Sequence, residues 1–262
     1  MSPIKNENLL KVGLEAAIAA SRIIMDALDK PRVANLKGKT NLVTETDHLS
    51  EKTIKSIIRG SFPDHSFLAE ESGQDLSKSD YLWIIDPLDG TTNFVHGYPS
   101  FAVSIALYYK NEPQVAVIIE MPNTKLYSAI KGEGVWCEGQ PISCSESDSL
   151  EKSLLVTGFG YEHGELWEEN MRLYKHFTDT TQGVRRLGAA AVDLCHVASG
   201  KVDGFWEFDL QPWDTAAGIL IAQEAGCLVT QMNGSDYSIY DNNILVTNPK
   251  IHIEMVKNIE DV

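Results

Sequence analysis

The sequence has no Cys-x-x-Cys pair and no cysteine spacing that suits zinc; its four cysteines, Cys137, Cys144, Cys195 and Cys227, are scattered. Scattered thiols point away from a disulfide-stapled secreted domain and toward reduced cysteines in a cytoplasmic setting. No run of about 18 uncharged apolar residues occurs, and Glu15 and Arg22 interrupt the one early candidate, so neither a membrane span nor a signal peptide is expected. Positive charge is also scarce. With 22 Lys and Arg against 37 Asp and Glu, the net charge is −15, which leaves nucleic acid without the basic cluster it needs in a general partner. No Gly-x-Gly-x-x-Gly opens a helix; Gly158-Phe159-Gly160-Tyr161 reads as a loop, so a nucleotide-binding turn is not indicated there. Internal repeats and low-complexity tracts are absent.

What is present is 262 residues of ordinary hydrophobic content, 43%, enough for one large domain or two subdomains sharing a core. Residues 8–28 carry apolar side chains at helical spacing. Residues 29–40 read as a Lys, Gly and Pro-rich connection whose Lys37 and Lys39 are the early cations. Residues 41–47 are extended, and Asp47 is expected to cap a helix running through Ile58.

Two short strands then end on acids. Residues 66–69 run into Glu70-Glu71-Ser72-Gly73, and the apolar strand at 81–85 runs into Asp86, with Pro87 expected to stop it. Neighbouring strands that end this way deliver Glu70 and Asp86 to one sheet edge, the place where open α/β sheets put their sites. Asp86 and Asp89 lie three residues apart across a turn, and Gly90-Thr91-Thr92 follows as a helix start whose free N–H groups suit phosphate oxygens. Hard oxygen ligands beside an anion cradle indicate a divalent metal and a phosphate ester. A turn with a capping Asp is the plainer alternative for this motif taken alone.

Strands at 101–109, 114–120 and 125–130, and a hairpin at 131–134 leading into 135–137, form a meander. The Ser-rich stretch 143–153 marks a boundary, giving an N-terminal α+β subdomain at 1–148 and a C-terminal α/β subdomain at 149–262. In the second half, a strand at 154–157, a helix at 165–177, and Arg185-Arg186 lead to the small residues Gly188-Ala189-Ala190-Ala191 and a further helix. A strand at 203–208, a turn at 211–214, a helix at 215–225 beginning at Asp214, strands at 227–231 and 244–247, and a helix at 249–259 complete the chain. His96, His163 and His196 share no ligand spacing and read as surface or core residues.

Three blocks occurring in this order resemble the inositol monophosphatase family: Leu68-Ala69-Glu70-Glu71-Ser72-Gly73, the run from Trp83 through Asn93, and Trp213-Asp214-Thr215-Ala216-Ala217-Gly218. The resemblance covers nearly the whole chain. It implies an α/β (α+β) fold in five α-β-α-β-α layers like the sugar phosphatases, two to three Mg2+ ions per subunit, lithium sensitivity and a homodimer. By motif, Glu70, Asp86 and the Leu88 carbonyl resemble a first metal site, and Asp86, Asp89 and Asp214 a second, with a third and weaker ion against Glu70. Thr91 backed by Asp47 resembles the pair that orients and deprotonates the attacking water. The same resemblance gives the phosphate to the N–H groups of Gly90, Thr91 and Thr92. It gives substrate hydroxyls to Asp89, Asp214, Glu207 and the backbone at Gly188, Ala189 and Ala190. Where the animal enzymes commonly carry Gly-Thr-Ala this chain has Gly188-Ala189-Ala190, so one hydroxyl is missing. Arg185 and Arg186 are assigned first to structure, then to substrate, an acid partner or a dimer contact.

Physical chemistry agrees with that implication: carboxylates within about 4 Å repel by roughly 4 kcal/mol per pair at an effective dielectric near 20, and cations reverse the sign. Oxygen-only ligands favour magnesium over zinc. The expected function is a magnesium-dependent phosphomonoesterase acting on inositol 1-phosphate or a related small polyol phosphate. Histidinol phosphate, galactose 1-phosphate, fructose 1,6-bisphosphate and 3′-phosphoadenosine 5′-phosphate are the alternatives within the fold, and a protein-binding role independent of catalysis is the alternative outside it. A bisphosphate needs extra basic residues, in which the second half is poor.

Overall fold

The structure is a computed structural model describing residues 4–30, 34–36, 42–75, 79–160 and 163–262. Lys37, Lys39, Asn41 and Tyr161 fall outside these residues. Helix α1 (Asn6–Leu28) is followed by an antiparallel pair, β1 (Ala34–Leu36) and β2 (Leu42–Thr44), and by α2 (Glu45–Ser61). Next come β3 (Ser66–Ala69), β4 (Gly73–Gln74), β5 (Tyr81–Asp89), the short α3 (Thr91–His96), β6 (Phe101–Tyr109), β7 (Glu112–Met121), β8 (Lys125–Ile130), β9 (Gly134–Cys137) and β10 (Gln140–Pro141). The second half holds β11 (Leu154–Thr157), α4 (Glu165–Thr180), β12 (Gly183–Arg185), α5 (Ala190–Ala198), β13 (Gly204–Phe208), α6 (Pro212–Glu224), β14 (Leu228–Thr230), β15 (Asn243–Thr247) and α7 (His252–Glu260).

Side-chain alternation explains how these elements stack. In β5 to β7 one face carries Trp83, Ile85, Phe101, Val103, Ile105, Val115, Val117 and Ile119, which pack with Leu9, Ala16, Ala20 and Ile24 of α1 and Ile54 and Ile58 of α2. The opposite face is trimmed to small or single apolar residues, Ile84, Ala102, Ala106, Ala116 and Ile118, and meets α5 and α6. Those two helices lie close together: a Cβ on Gly218 would stand 2.3 Å from Leu194 Cδ1, so the crossing requires glycine there. Their other side packs on Phe205, Ile244 and Val246 of the second sheet, whose far face buries Trp206, Phe208 and Leu245 against Leu173 and Phe177 of α4 and Met255 of α7. The layers therefore run α1/α2, an eight-stranded sheet (β10-β9-β8-β7-β6-β5-β3-β4), α5/α6, a five-stranded sheet (β12-β11-β13-β15-β14), and α4/α7. Both sheets share the central helical layer as one continuous core.

Pro87 does not end its strand. β5 continues to Asp89, and its register against β6 slips between Asp86↔Ser104 and Asp89↔Ala102, so three steps on one strand match two on the other. The partner on the other side, β3, has already finished at Ala69↔Ile85, so the missing proline N–H leaves no ladder bond unmade on that side. The result is a bulge that turns both acids the same way.

Candidate active site

Four helix N-termini meet at the end of β3 and β5, and each is tied to an acid. Asp47 is the third residue of α2, not its cap: Thr44 is the N-cap, and Asp47 Oδ2 accepts the Thr44 N–H at 2.9 Å and the Thr44 hydroxyl at 2.5 Å. Its other oxygen, Oδ1, accepts the Thr91 hydroxyl at 2.9 Å from across the sheet edge. Asp214 repeats the arrangement as the third residue of α6, which begins at Pro212 rather than at residue 215; its Oδ2 accepts the Gln211 N–H at 2.7 Å. Asp89 Oδ2 takes the Ala191 N–H at 2.8 Å in the first turn of α5, and Gly90, in the left-handed region at φ 81°, caps α3. Partial positive charge from these helix starts is thus aimed at one cleft.

Asp86 and Glu70 stand side by side because β3 and β5 are parallel and in register, and the Glu70 N–H donates to the Ile85 carbonyl at 3.2 Å. Asp86 Oδ1 holds the Leu88 N–H at 3.0 Å, while Thr91 also has the Leu88 carbonyl within 3.0 Å. Glu71 lies on the other side of the chain, its N–H bonded to Glu51 of α2 at 2.9 Å. The second oxygens of Asp86 and Asp214 take no hydrogen bond from the described residues.

The electrostatics follow from burial and crowding. Asp86 is pushed well above the usual carboxylate range by burial first, then by the charges of Glu70, Asp89 and Asp214. Burial lifts Asp89 to about 7, against the pull of the α5 amides. Asp214 is raised in the same way, by burial and then by Asp89, although one edge of the residue remains exposed at the cleft mouth. Among the described residues no three or more His, Cys, Asp and Glu side chains form a ready ion-holding group. The four acids nevertheless feel one another's charge, which reaches farther than a coordination bond. An all-oxygen set of mutually repelling carboxylates fits divalent cations chemically.

The remaining expected residues fall on the rim. Glu207 is buried on β13, on the same face as Phe205, and is raised by burial and then by Asp214, with Arg186 opposing. Gly188, Ala189 and Ala190 lead into α5 beside Gly90: a Cβ on Gly90 would meet the Ser100 carbonyl at 2.9 Å and Ala189 Cβ at 3.1 Å. Thr92 is half-buried in the first turn of α3. Arg186 supplies the positive charge felt by Glu207, whereas Arg185 donates to the Val184 carbonyl at 3.5 Å. His163 stacks on Trp167 at 4.5 Å and His196 pairs with Glu120 at 3.2 Å, both away from the acids. A cavity of about 410 Å³ behind α6, lined by Tyr108, Tyr237 and Tyr240, touches none of the acids.

Four residues escaped sequence reasoning. Asn93 lies in the motif without a role assigned to it; its amide donates to the Ser100 and Leu187 carbonyls at 2.6 and 2.7 Å, clamping α3 to the Gly188 turn of the other half. Gly158, taken as plain loop, is where Glu207 rests, since a Cβ there would fall 2.2 Å from Glu207 Oε1. Asn170 holds that glycine by donating to its carbonyl at 2.6 Å and accepting from the Trp206 indole at 2.6 Å. Asp193 is fully buried with neither oxygen hydrogen-bonded among the described residues, and nothing in its apolar helix pattern signals a role. The Gly158→Ala variant is expected to displace Glu207, raising KM by about tenfold with kcat little changed; steady-state kinetics check this.

A two-sheet, five-layer sandwich with acids at the strand ends and four helix starts around them is the frame that the comparisons identify as a phosphatase. The family model for the inositol monophosphatase family matches residues 5–262, and the chain belongs to that family. It is 49% identical to the Arabidopsis thaliana phosphatase IMPL1, chloroplastic, over 98% of this chain and 71% of that one. It is 43% identical to the Synechocystis inositol-1-monophosphatase (97% and 89%) and 38% identical to the Pseudomonas aeruginosa Nus factor SuhB (96% and 96%). The solved structure of inositol monophosphatase from Anabaena superposes with a TM-score of 0.87 at 40% identity, covering 98% of this chain and 96% of that one. Among the described residues no helix is long and apolar enough to cross a membrane.

Proposed function

We propose that the protein hydrolyses inositol 1-phosphate or a related small polyol phosphate, with Mg2+ as cofactor. The observation that carries this is that Glu70, Asp86, Asp89 and Asp214, from three separate stretches of chain, lie near enough for their charges to act on Asp86 and Asp214, beside the Thr91–Asp47 hydrogen bond. Glu70, Asp86, the Leu88 carbonyl, Asp89 and Asp214 are the ion holders in this reading. A bound divalent cation supplies Lewis acidity toward phosphoryl oxygens and a lower pKa for the attacking water.

The chain's own groups do the rest. The first N–H groups of a helix have no intrahelical acceptor, so those of Gly90, Thr91 and Thr92 hold phosphate oxygens. Thr91 has one hydroxyl proton, and when Asp47 Oδ1 takes it the Thr91 lone pairs are left to accept a proton from water. Asp47 Oδ2 is already committed to Thr44, which fixes Oδ1 as the acceptor. Asp89, Asp214, Glu207 and the backbone at 188–190 orient the alcohol, with Gly158 seating Glu207. The Thr91→Val variant is expected to lose about 100-fold in kcat with KM little changed.

Phosphate release from a panel of monophosphates and bisphosphates, with Mg2+ present, tests the substrate. Preference of more than tenfold for fructose 1,6-bisphosphate or 3′-phosphoadenosine 5′-phosphate would overturn it. The same reading carries a homodimer, a cytoplasmic setting, lithium sensitivity and subdomains at 1–148 and 149–262. A second reading, a protein-binding role independent of catalysis, rests on relatives named Nus factor SuhB, such as that of Pseudomonas aeruginosa at 38% identity. An Asp89→Asn variant separates the two, since turnover should vanish while partner capture survives.

A further inference from the structure

The four cysteines play no part in the chemistry above, yet two of them are neighbours. Cys144 lies in the connection between the sheets, after β10 ends at Pro141 and before β11 begins at Leu154. Cys227 follows α6, just before β14. The Cys144 N–H donates to the Ala225 carbonyl at 3.0 Å, and a Cβ on Gly226 would stand 3.9 Å from Cys144 Sγ. Cys227 is the next residue after Gly226, so the two thiols share one neighbourhood, and both are free. Cys144 is partly exposed and Cys227 is buried, so an outside reagent meets Cys144 first.

We propose that Cys144 and Cys227 form a modification site: a dithiol that small-molecule disulfides such as oxidised glutathione convert reversibly to an internal disulfide. The chemistry divides the roles. The neighbouring Cys227 thiol draws Cys144 below its ordinary range, whereas Cys144 and burial push Cys227 up. Cys144 is therefore the attacking thiolate. It attacks one sulfur of glutathione disulfide; that S–S bond breaks, a Cys144–glutathione mixed disulfide forms, and one glutathione leaves as a thiolate and takes a proton. Cys227 then gives up its proton and attacks Cys144 Sγ, expelling the second glutathione. Two protein thiols lose two electrons and two protons, and one glutathione disulfide becomes two glutathione thiols.

Cys137 and Cys195 are buried, and burial raises both thiols, so they are poor competitors. The new bond would tie the connection between the sheets to the end of α6 opposite Asp214. It closes a loop of roughly 80 residues, a length at which a cross-link constrains the unfolded chain strongly.

The test uses the full chain, reduced and then incubated with oxidised glutathione, followed by intact mass, peptide mapping and thermal denaturation. Wild type is expected to lose the mass of two hydrogens, to yield one linked Cys144–Cys227 peptide, and to melt about 5 °C or more higher until reductant is added. Cys227→Ser should stop at one glutathione attached to Cys144, and Cys144→Ser should stay unmodified. Four free thiols in treated wild type, a glutathione adduct that persists in wild type, or a bond joining any other pair or two chains would each overturn the proposal. Phosphatase turnover is not a readout, so failure of the site assignment leaves this test intact.

Discussion

Asp214→Asn is expected to cut Mg2+-supported turnover by about 1,000-fold or more and, in metal-free protein at pH 8, to raise the melting temperature. The asparagine side-chain oxygen can still accept the Gln211 N–H that starts α6, so the helix survives while one of the crowded charges disappears. Loss of an ion-holding carboxylate removes several kcal/mol of transition-state stabilisation, and about 4 kcal/mol corresponds to three powers of ten in rate. The stability gain comes from the other side of the same electrostatics. Asp89, Glu70 and Asp209 all raise Asp214 through their charges, and a neutral amide feels none of them. Turnover within tenfold of wild type, measured by phosphate release at saturating Mg2+, would sink the assignment of Asp214.

Chelator-treated protein should lose stability as the pH rises from 5 to 8, and Mg2+ should restore it. Asp86, Asp89, Asp193, Glu207 and Asp214 keep their protons to higher pH in the folded chain than the ordinary Asp and Glu range near 4. Between the unfolded and folded pKa values the native state binds more protons than the unfolded chain, so stability falls with rising pH in that window and is complete only below it. Asp89, lifted to about 7, contributes about 2 kcal/mol of loss between pH 5 and 7, or about 5 °C in melting temperature. Cations that bind the native cluster and not the unfolded chain, as in the proposed function, would stabilise by mass action. High NaCl should not substitute, because buried charges are weakly screened. Calorimetry across pH with and without Mg2+ checks this; a metal-free melting temperature that is flat or rises from pH 5 to 8 contradicts it.

Particular residues show why some of this was legible in the sequence. Strands at 66–69 and 81–85 were readable because alternating and continuous apolar runs ending in acids leave few other arrangements, and their parallel pairing puts Glu70 beside Asp86. Asp47 and Asp214 were placed at helix starts, but both caps lie three residues earlier: each acid is a third residue, because Thr44 and Gln211 hold the caps. A capping box and a capping Asp look alike in sequence until the hydrogen bonds are seen. Pro87 looked like a strand end, because sequence does not reveal that the neighbouring strand has already stopped.

Short-range order therefore sufficed for the acids themselves, the alternation of both sheets, the small residues between α5 and α6, and the family. These depend on spacing and on three local blocks. The tertiary structure alone decided that Asn93 locks onto the turn at Gly188, that Glu207 rests on Gly158, and that Cys144 lies beside the turn leading to Cys227, whereas the Asp47–Thr91 pairing across 44 residues was already implied by the resemblance. Such contacts join segments distant in the chain, and they arise from how layers stack and helices converge, which no local propensity encodes.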